Sequence, residues 1–413
     1  MNNRIDRRAF INRGLGSLGA AAMLPTVPAL AEATGDVSQT AIYPFTLSDA
    51  TLKRLPKMMA LANVPGAAAA IVHNGRLAWH GEFGVKNASS GEKVTAETAW
   101  QMGSLGKPVF AFGVMKLVED GKLDLDRPLF EYVGGEELVK DDPRSKRVTA
   151  RHALSHSTGL QNWRFQAGDT FQFAFSPGER WSYSGEGIYY LQRAVEQITG
   201  QSLEQFMRSR VFEPLGMNNS SYFWLPQYER DLAAAHNGQG VMTPDYLVQN
   251  VPRLNKVAED QKKPVIEWRN ADQERAQGSV EKRFPPFPTF FSLNAAGTLI
   301  STTADYGKFV ASLLEPPKPS GLTAASVTEA LKPQVRINDN IAWGLGWGLQ
   351  TDYDGRPGFW HWGEGINYRN FVLADRESRS AIIVFTNARN GRKIWERIAA
   401  DAAGSDQPLF VWL

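Results

Sequence analysis

Ala67 to His73 is a short apolar run, Asn74-Gly75 follows, and Arg76 to Gly84 then sets Leu77, Trp79 and Phe83 among polar or small neighbours. An Asn-Gly step between two such runs predicts a β-hairpin with one covered face. Ahead of it, Leu47 to Leu61 has the periodicity of an amphipathic helix that ends before Asn63-Val64-Pro65-Gly66. Strand patterns return late in the chain. Trp343 to Gln350 predicts one strand. Tyr368 to Ala374 and Ser380 to Thr386 predict a second hairpin about a charged Asp-Arg-Glu-Ser-Arg turn, and a helix from about Arg392 to Ala403 closes the chain.

The middle reads differently. Residues 109–118 are apolar on nearly every face, the mark of a helix buried between layers. Gly187 to Thr199 puts Ile188, Leu191, Val195 and Ile198 on one face and is stopped by Gly200. Ser202 to Gln205 is a capping-box pattern. Residues 226–288 are polar, rich in proline and charge, and lack strong periodicity, which predicts an elaborated loop region walling a cleft. The early and late strands therefore share one antiparallel sheet. The expected class is α+β in two parts: residues 46–104 and 291–413 form an α/β part, and 105–290 a mostly helical insertion.

The first 31 residues stand apart from this pattern. A positive stretch with Arg7-Arg8-Ala9-Phe10-Ile11 precedes a Gly/Ala-rich apolar run and Ala29-Leu30-Ala31, an A-x-A cleavage site. The paired arginines resemble a twin-arginine export signal, implying cleavage after Ala31, a linker over 32–45 and a periplasmic mature protein. This segment carries four arginines and one aspartate, so without it the formal charge of +2 falls to about −1. No basic stripe is left to recommend a nucleic-acid partner. No other segment approaches 18 consecutive apolar residues, so no transmembrane anchor is expected in the mature form. The chain has no cysteine, which excludes a thiol nucleophile, thiolate metal sites and disulfides. Twelve tryptophans and 22 phenylalanines instead point to a large core with aromatic-walled clefts.

Chemistry enters at Ser104 and Lys107, in Gly103-Ser104-Leu105-Gly106-Lys107-Pro108. Serine and lysine three apart on a helix share a face, so the amine can take the hydroxyl proton. Ser90 with Lys93 and Ser279 with Lys282 have the same spacing. They lie in a polar turn and a charged, Pro-rich stretch, whereas Ser104 opens the buried helix, where free N–H groups and the helix dipole favour developing negative charge. Tyr183-Ser184-Gly185 precedes the amphipathic helix, and its tyrosine can share a proton with Lys107. His361-Trp362-Gly363, followed by Glu364, sits at a strand edge. The backbone N–H groups of Ser104 and Glu364 are the candidate oxyanion donors.

In this order the three segments resemble the motifs of the serine β-lactamase and penicillin-binding-protein superfamily, and more narrowly its class C β-lactamase-related branch of DD-peptidases, family VIII carboxylesterases and amide hydrolases. Leu154-Ser155-His156-Ser157-Thr158-Gly159-Leu160 and Phe212-Glu213-Pro214-Leu215-Gly216-Met217 extend the likeness, which runs from about residue 46 to the C-terminus. The resemblance implies that Ser104 is acylated, Lys107 activates it and Tyr183 exchanges protons with the attacking and leaving groups. His361, Trp362, Gly363, Glu364 and Gly185 would line the substrate. Two departures matter. Gly185 stands where penicillin-recognising members carry an asparagine that bonds the substrate's acylamide. His361 stands where they carry a lysine, and a neutral imidazole binds carboxylates less well.

The reading is an exported serine hydrolase that cleaves a small-molecule ester, amide or peptide through an acyl-enzyme, without metal or organic cofactor. A D-alanyl-D-alanine carboxypeptidase or a β-lactamase is the alternative within the enzyme class. A penicillin-binding sensor that acylates without turnover is the alternative outside it. A Ser-His-Asp arrangement using His156 or His361 is disfavoured, because Met102 replaces the first glycine of a nucleophile elbow.

Overall fold

Along Gly66–His73 every residue but the last is buried, on both faces of the strand. Ala67, Ala69 and Ile71 join one apolar cluster, and Ala68, Ala70 and Val72 join another. A strand covered on both sides reads as a continuous apolar run, which is what the sequence has here. The computed structural model describes residues 44–135, 138–164, 170–279, 293–315 and 320–413. The predicted signal segment, nearly all of the linker and Lys282 lie outside the described residues.

This strand, β1 (Gly66–His73), forms the predicted hairpin with β2 (Arg76–Gly84), and the turn residues Asn74 and Gly75 both have positive φ. A short pair, β3 (Ala99–Gln101) and β4 (Ile300–Thr302), stands apart. The main sheet is completed by β5 (Val335–Arg336), β6 (Ile341–Trp343), β7 (Gly348–Thr351), β8 (Pro357–Glu364), β9 (Arg369–Asp375) and β10 (Ser380–Thr386). Its order is β2-β1-β10-β9-β8-β7-β6-β5, antiparallel throughout. The first and last strands of the chain thus meet at β1 and β10, in the α+β arrangement that the pattern predicts.

Eight helices matter for the site: α1 (Asp49–Ala62), α2 (Gly106–Glu119), α3 (Gly185–Thr199), α4 (Tyr246–Gln261), α5 (Asn270–Ser279), α6 (Thr303–Leu314), α7 (Arg392–Ala403) and α8 (Pro408–Trp412). Helices α1 and α7 share the cluster on one face of the sheet, through Leu55, Met59, Trp395 and Ile398. Helices α2 and α6 share the cluster on the other face, through Val109, Phe110, Phe112, Phe309 and Val310. No helix among the described residues is long and apolar enough to cross a membrane.

Two expectations need correction. Trp343 to Gln350 is not one strand: Gly344-Leu345-Gly346-Trp347 separates β6 from β7. Gly346 takes a φ of +84°, and a Cβ on Gly344 would lie 2.4 Å from the Ala330 carbonyl oxygen, so the chain turns where only glycine fits. Nor is 226–288 chiefly loop, since its described part holds α4 and α5. Asp245 caps α4 by accepting from Leu247 and Val248, and Leu254 and Ala258 join a small cluster with Trp268. Pro252 inside the helix hides this pattern, because proline ordinarily signals a break.

Candidate active site

Gly103 makes the turn that presents Ser104. Its φ is +54°, and a Cβ there would meet the Glu364 backbone at 2.7–3.0 Å. From the facing strand, a Cβ on Gly363 would lie 2.0 Å from the Met102 carbonyl oxygen. Two glycines therefore let the Ser104 turn and the end of β8 pack backbone against backbone. The approach is possible because β7 pairs with β8 only as far as Trp360. Beyond that residue β8 is bonded on its β9 side, and its other edge faces Ser104. His361, Gly363 and Glu364 thus belong to the end of an interior strand that is locally an edge.

Ser104 leads into α2, and Lys107 lies one turn on. Lys107 is buried, at 1% exposure, with Nζ 2.9 Å from Ser104 Oγ and donating to the Ala296 carbonyl at 2.7 Å. Burial holds its pKa well below the usual lysine value. A neutral amine that gives one N–H to Ala296 keeps its lone pair for the serine proton. The Ala296 carbonyl is itself anchored: Ala295 N–H donates to Gln192 Oε1 on α3 at 2.8 Å, and Ala296 N–H to Asn294 Oδ1 at 3.0 Å.

Tyr183 arrives from the cap of α3. Ser184 Oγ accepts from Gly187 N–H at 3.0 Å and donates to the Gln161 carbonyl at 2.9 Å, so this serine is a structural cap, with Tyr183 just ahead of the helix. The tyrosine ring lies under Lys107 Nζ, 4.7 Å from ring centroid to nitrogen. Its hydroxyl has no hydrogen-bond partner, yet Ser104 is near enough to favour the phenolate slightly. Burial dominates and, together with the Glu364 charge, pushes the phenol above its usual range. The lysine therefore touches the face of the ring, and the direct Lys107–Tyr183 proton sharing expected from the sequence is not a contact here. Burial thus favours the neutral form of both amine and phenol beside Ser104.

His361 is fully buried. Its Nδ1–H donates to the Trp362 carbonyl at 2.6 Å, leaving Nε2 as an acceptor without a partner. Burial, with Lys107 acting in the same direction, pushes its pKa down to about 3. The imidazole supplies no cation at neutral pH. Trp362 packs at a tilt against Tyr183, 5.1 Å between ring centroids, and walls the phenol.

Trp343 and Trp163 escaped the sequence reading as neighbours of the site, and His156 entered it only as a disfavoured base. His156 packs 4.1 Å from Tyr183, and its Nδ1 accepts the Ser184 N–H at 3.1 Å, which leaves Nε2–H buried and unpartnered. Trp343 lies edge-on to His156, Tyr183 and His361, at 5.2, 6.1 and 5.5 Å. Trp163 covers Gly185: a Cβ there would fall 2.3–2.6 Å from the indole ring. Gly185 N–H donates to Asn162 Oδ1 at 2.9 Å, so the segment before the indole is tied to the start of α3. Gly185 is thus buried beneath a tryptophan and offers a substrate nothing. The signal for His156 stood in Leu154–Leu160, but nothing in sequence spacing links residue 163 to 185. Of the other Ser/Lys spacings, Ser90 is exposed and donates to Glu92 at 3.0 Å. Among the described residues no His, Cys, Asp or Glu cluster is arranged to hold a metal.

A family model described as Beta-lactamase matches residues 53–403. Lovastatin esterase of Penicillium rubens is 29% identical over 196 residues, covering 39% of this chain and 48% of that protein. Penicillin-binding protein 4* of Bacillus subtilis is 25% identical over 345 residues, covering 76% and 66%. The chain thus spans from about half to two thirds of the length of these curated relatives. The solved penicillin-binding protein homologue of Pyrococcus abyssi superposes with a TM-score of 0.66 at 21% identity, covering 88% of this chain and 80% of that one. At that identity the likeness is one of fold.

Proposed function

This chain belongs to the beta-lactamase family, and on that footing we propose that it is a serine hydrolase that forms an acyl-enzyme on Ser104 and prefers esters or weakly charged amides. The observation that carries the reading is the buried Lys107 amine 2.9 Å from the Ser104 hydroxyl, where burial lowers the lysine pKa and favours the proton-accepting form. Lys107 takes the proton as Oγ attacks the carbonyl. Backbone N–H groups of Ser104 and Glu364 bind the oxyanion. The Tyr183 phenol protonates the leaving group, and water then reverses the sequence to release the acid.

The preference rests on Trp163 and His361. The place of an acylamide-binding side chain at position 185 is filled by an indole, and position 361 bears an uncharged imidazole. A substrate with an acylamino group and a carboxylate finds neither a matching amide nor a matching cation there. An apolar acyl group finds aromatic walls. The esterase relative supports this preference, and the penicillin-binding relative supports the carboxypeptidase or β-lactamase alternative.

The test compares p-nitrophenyl butyrate with nitrocefin at matched enzyme concentration, with Ser104→Ala as control. Ester turnover exceeding cephalosporin turnover, both abolished in Ser104→Ala, is the expected result. The reverse order overturns the ester preference. A single burst of one product equivalent without a steady state indicates a sensor instead. For location, the motif Arg7-Arg8 supports twin-arginine export to the periplasm. Fractionation of cells making the wild type and R7K/R8K tests it: the wild type should be periplasmic and start at Glu32, the variant should stay in the cytoplasm.

A further inference from the structure

The two oxyanion donors belong to segments that are not bonded to each other. Among the described residues, no backbone hydrogen bond joins 102–105 to 363–364. The glycine contact between them is repulsive: a Cβ on either Gly103 or Gly363 would clash with the opposite backbone. It sets the nearest approach of the Ser104 turn to β8, and the pull that keeps them together comes from elsewhere.

Asn370 of β9 stands where that pull is needed. It lies opposite Gly363 in the β8–β9 register, and residues directly opposite in an antiparallel pair share a face. Gly363 leaves that face bare for the Met102 carbonyl, and Asn370 reaches across it to the carbonyl before. Its Nδ2–H donates to the Gln101 carbonyl at 2.8 Å, three residues ahead of Ser104. Its Oδ1 accepts from the Thr386 N–H at 3.2 Å. The β9–β10 ladder ends at Phe371 and Val384, so the amide takes up the Thr386 N–H where backbone pairing has stopped. Thr386 Oγ–H donates in turn to the Arg369 carbonyl at 2.7 Å. Asn370 and Thr386 are both fully buried. The amide thus uses a donor and an acceptor at one fixed length to join the separate pair β3–β4 to the main sheet. A longer tie runs beside it: Gln101 Nε2–H and the Tyr368 hydroxyl both donate to Asp245 Oδ2, at 2.7 and 3.2 Å.

We propose that Asn370 is a positioning residue for the oxyanion site. Its side chain touches no substrate; it fixes the spacing between the Ser104 and Glu364 N–H groups, which stabilise an oxyanion only when held in place beforehand. Its effect on rate rests on the serine-hydrolase reading, whereas its effect on the spacing rests on the hydrogen bonds alone.

The experiment therefore has two arms, each comparing the wild type with Asn370→Ala and with the milder Asn370→Ser, whose hydroxyl is one bond too short to hold both partners. Hydrogen exchange read by mass spectrometry should be about fivefold faster in peptides spanning 101–105, the effect of one lost hydrogen bond, with peptides from α1 and α7 unchanged. Hydrolysis of p-nitrophenyl butyrate, normalised to Ser104 titrated with a fluorophosphonate, should show kcat lowered by up to about 10²-fold in Asn370→Ala and less in Asn370→Ser, with KM changed far less. Normalising to titrated serine removes any loss due to unfolded protein, so a merely structural role would leave kcat per site intact. An unchanged kcat per site overturns the proposal, as does exchange that is unaltered or faster evenly across the fold. A wild type that cleaves no ester counts against the hydrolase reading instead, and the exchange arm then decides the role of Asn370 by itself.

Discussion

The charge on Lys107 decides the chemistry, and burial sets that charge. An ammonium at this position can only donate, whereas the free amine accepts the Ser104 proton. Its pKa is lowered, so the active form exists above that value and disappears below it. We predict that kcat/KM for an ester falls tenfold per pH unit below the depressed lysine pKa. No alkaline loss should come from Tyr183 below about pH 10, because its phenol is raised above the usual range. A stopped-flow pH profile checks both limbs, and an alkaline fall near pH 8 that Tyr183→Phe removes would contradict the neutral-phenol assignment. Lys107→Ala should lower acylation by about 10²–10⁴-fold, the usual worth of a general base. Specificity turns on Trp163. Gly185→Asn alone forces atoms into the indole and should cost about 1–3 kcal/mol as an overpacked site. With Trp163→Ala the pair should couple favourably, and the ratio of nitrocefin to ester turnover should rise above that of Trp163→Ala alone. A double-mutant cycle read by chemical denaturation and by both substrates tests this. Additive stabilities would mean that indole and asparagine do not compete for the same space.

Among the elements, the contact between the Ser104 turn and β8 bears most directly on activity. It is a backbone-to-backbone contact, so neither side can yield by a rotamer change. We predict that Gly363→Ala, which sets a methyl 2.0 Å from the Met102 carbonyl in the present geometry, pushes the strand away from Ser104. A displacement near 1 Å typically costs on the order of 10²-fold in rate, so kcat should fall by about that factor while KM changes less. Steady-state kinetics with a folding check by circular dichroism measures it, and an unchanged kcat would show that β8 does not hold the oxyanion geometry. The same contact marks the limit of sequence reading. Both hairpins, the helix over 392–403 and the buried helix after Ser104 were legible, because strand alternation, Asn-Gly and all-round apolarity are local signals. The break at 344–347 was not, since Gly344 answers to the Ala330 carbonyl and Gly346 to the Ala111 side chain, both outside the local pattern. Nor was α4, whose buried Val251, Leu254 and Ala258 are spaced around Pro252. Ser104, Lys107, Tyr183 and His361 announced themselves by residue type and order. The Ala296 carbonyl and the Trp163 indole carry no such label, because a carbonyl's role or a ring's position over a glycine depends on folding.

At the scale of the whole molecule, a run of hydrogen bonds and the Ala295–Ala296 backbone join the start of α5 to the catalytic lysine. Asn270 N–H and Gln192 Nε2–H both donate to Glu196, Gln192 Oε1 accepts from Ala295 N–H, and the next carbonyl, Ala296, receives Lys107. Glu196 is the titrating link. Its carboxyl rises from 4.5 to about 7 on folding because it is buried. The folded chain therefore holds a proton that the unfolded chain has released between those values, and stability from this group is lost as pH climbs through the window. His361 acts in the opposite sense. With a folded pKa of about 3 against 6.5, it withdraws stability as pH drops through that range. A comparison of wild type with Glu196→Gln isolates the acid, because both proteins carry His361 and Lys107 unchanged. We predict near parity at pH 4. By pH 8 the variant should be more stable by about 3 kcal/mol, the order of magnitude that a rise from 4.5 to about 7 is worth. Urea unfolding at pH 4, 6 and 8 gives the difference. A constant offset across that range would mean that the exchange of an acceptor for a donor beside Gln192, and not the buried charge, determines the change.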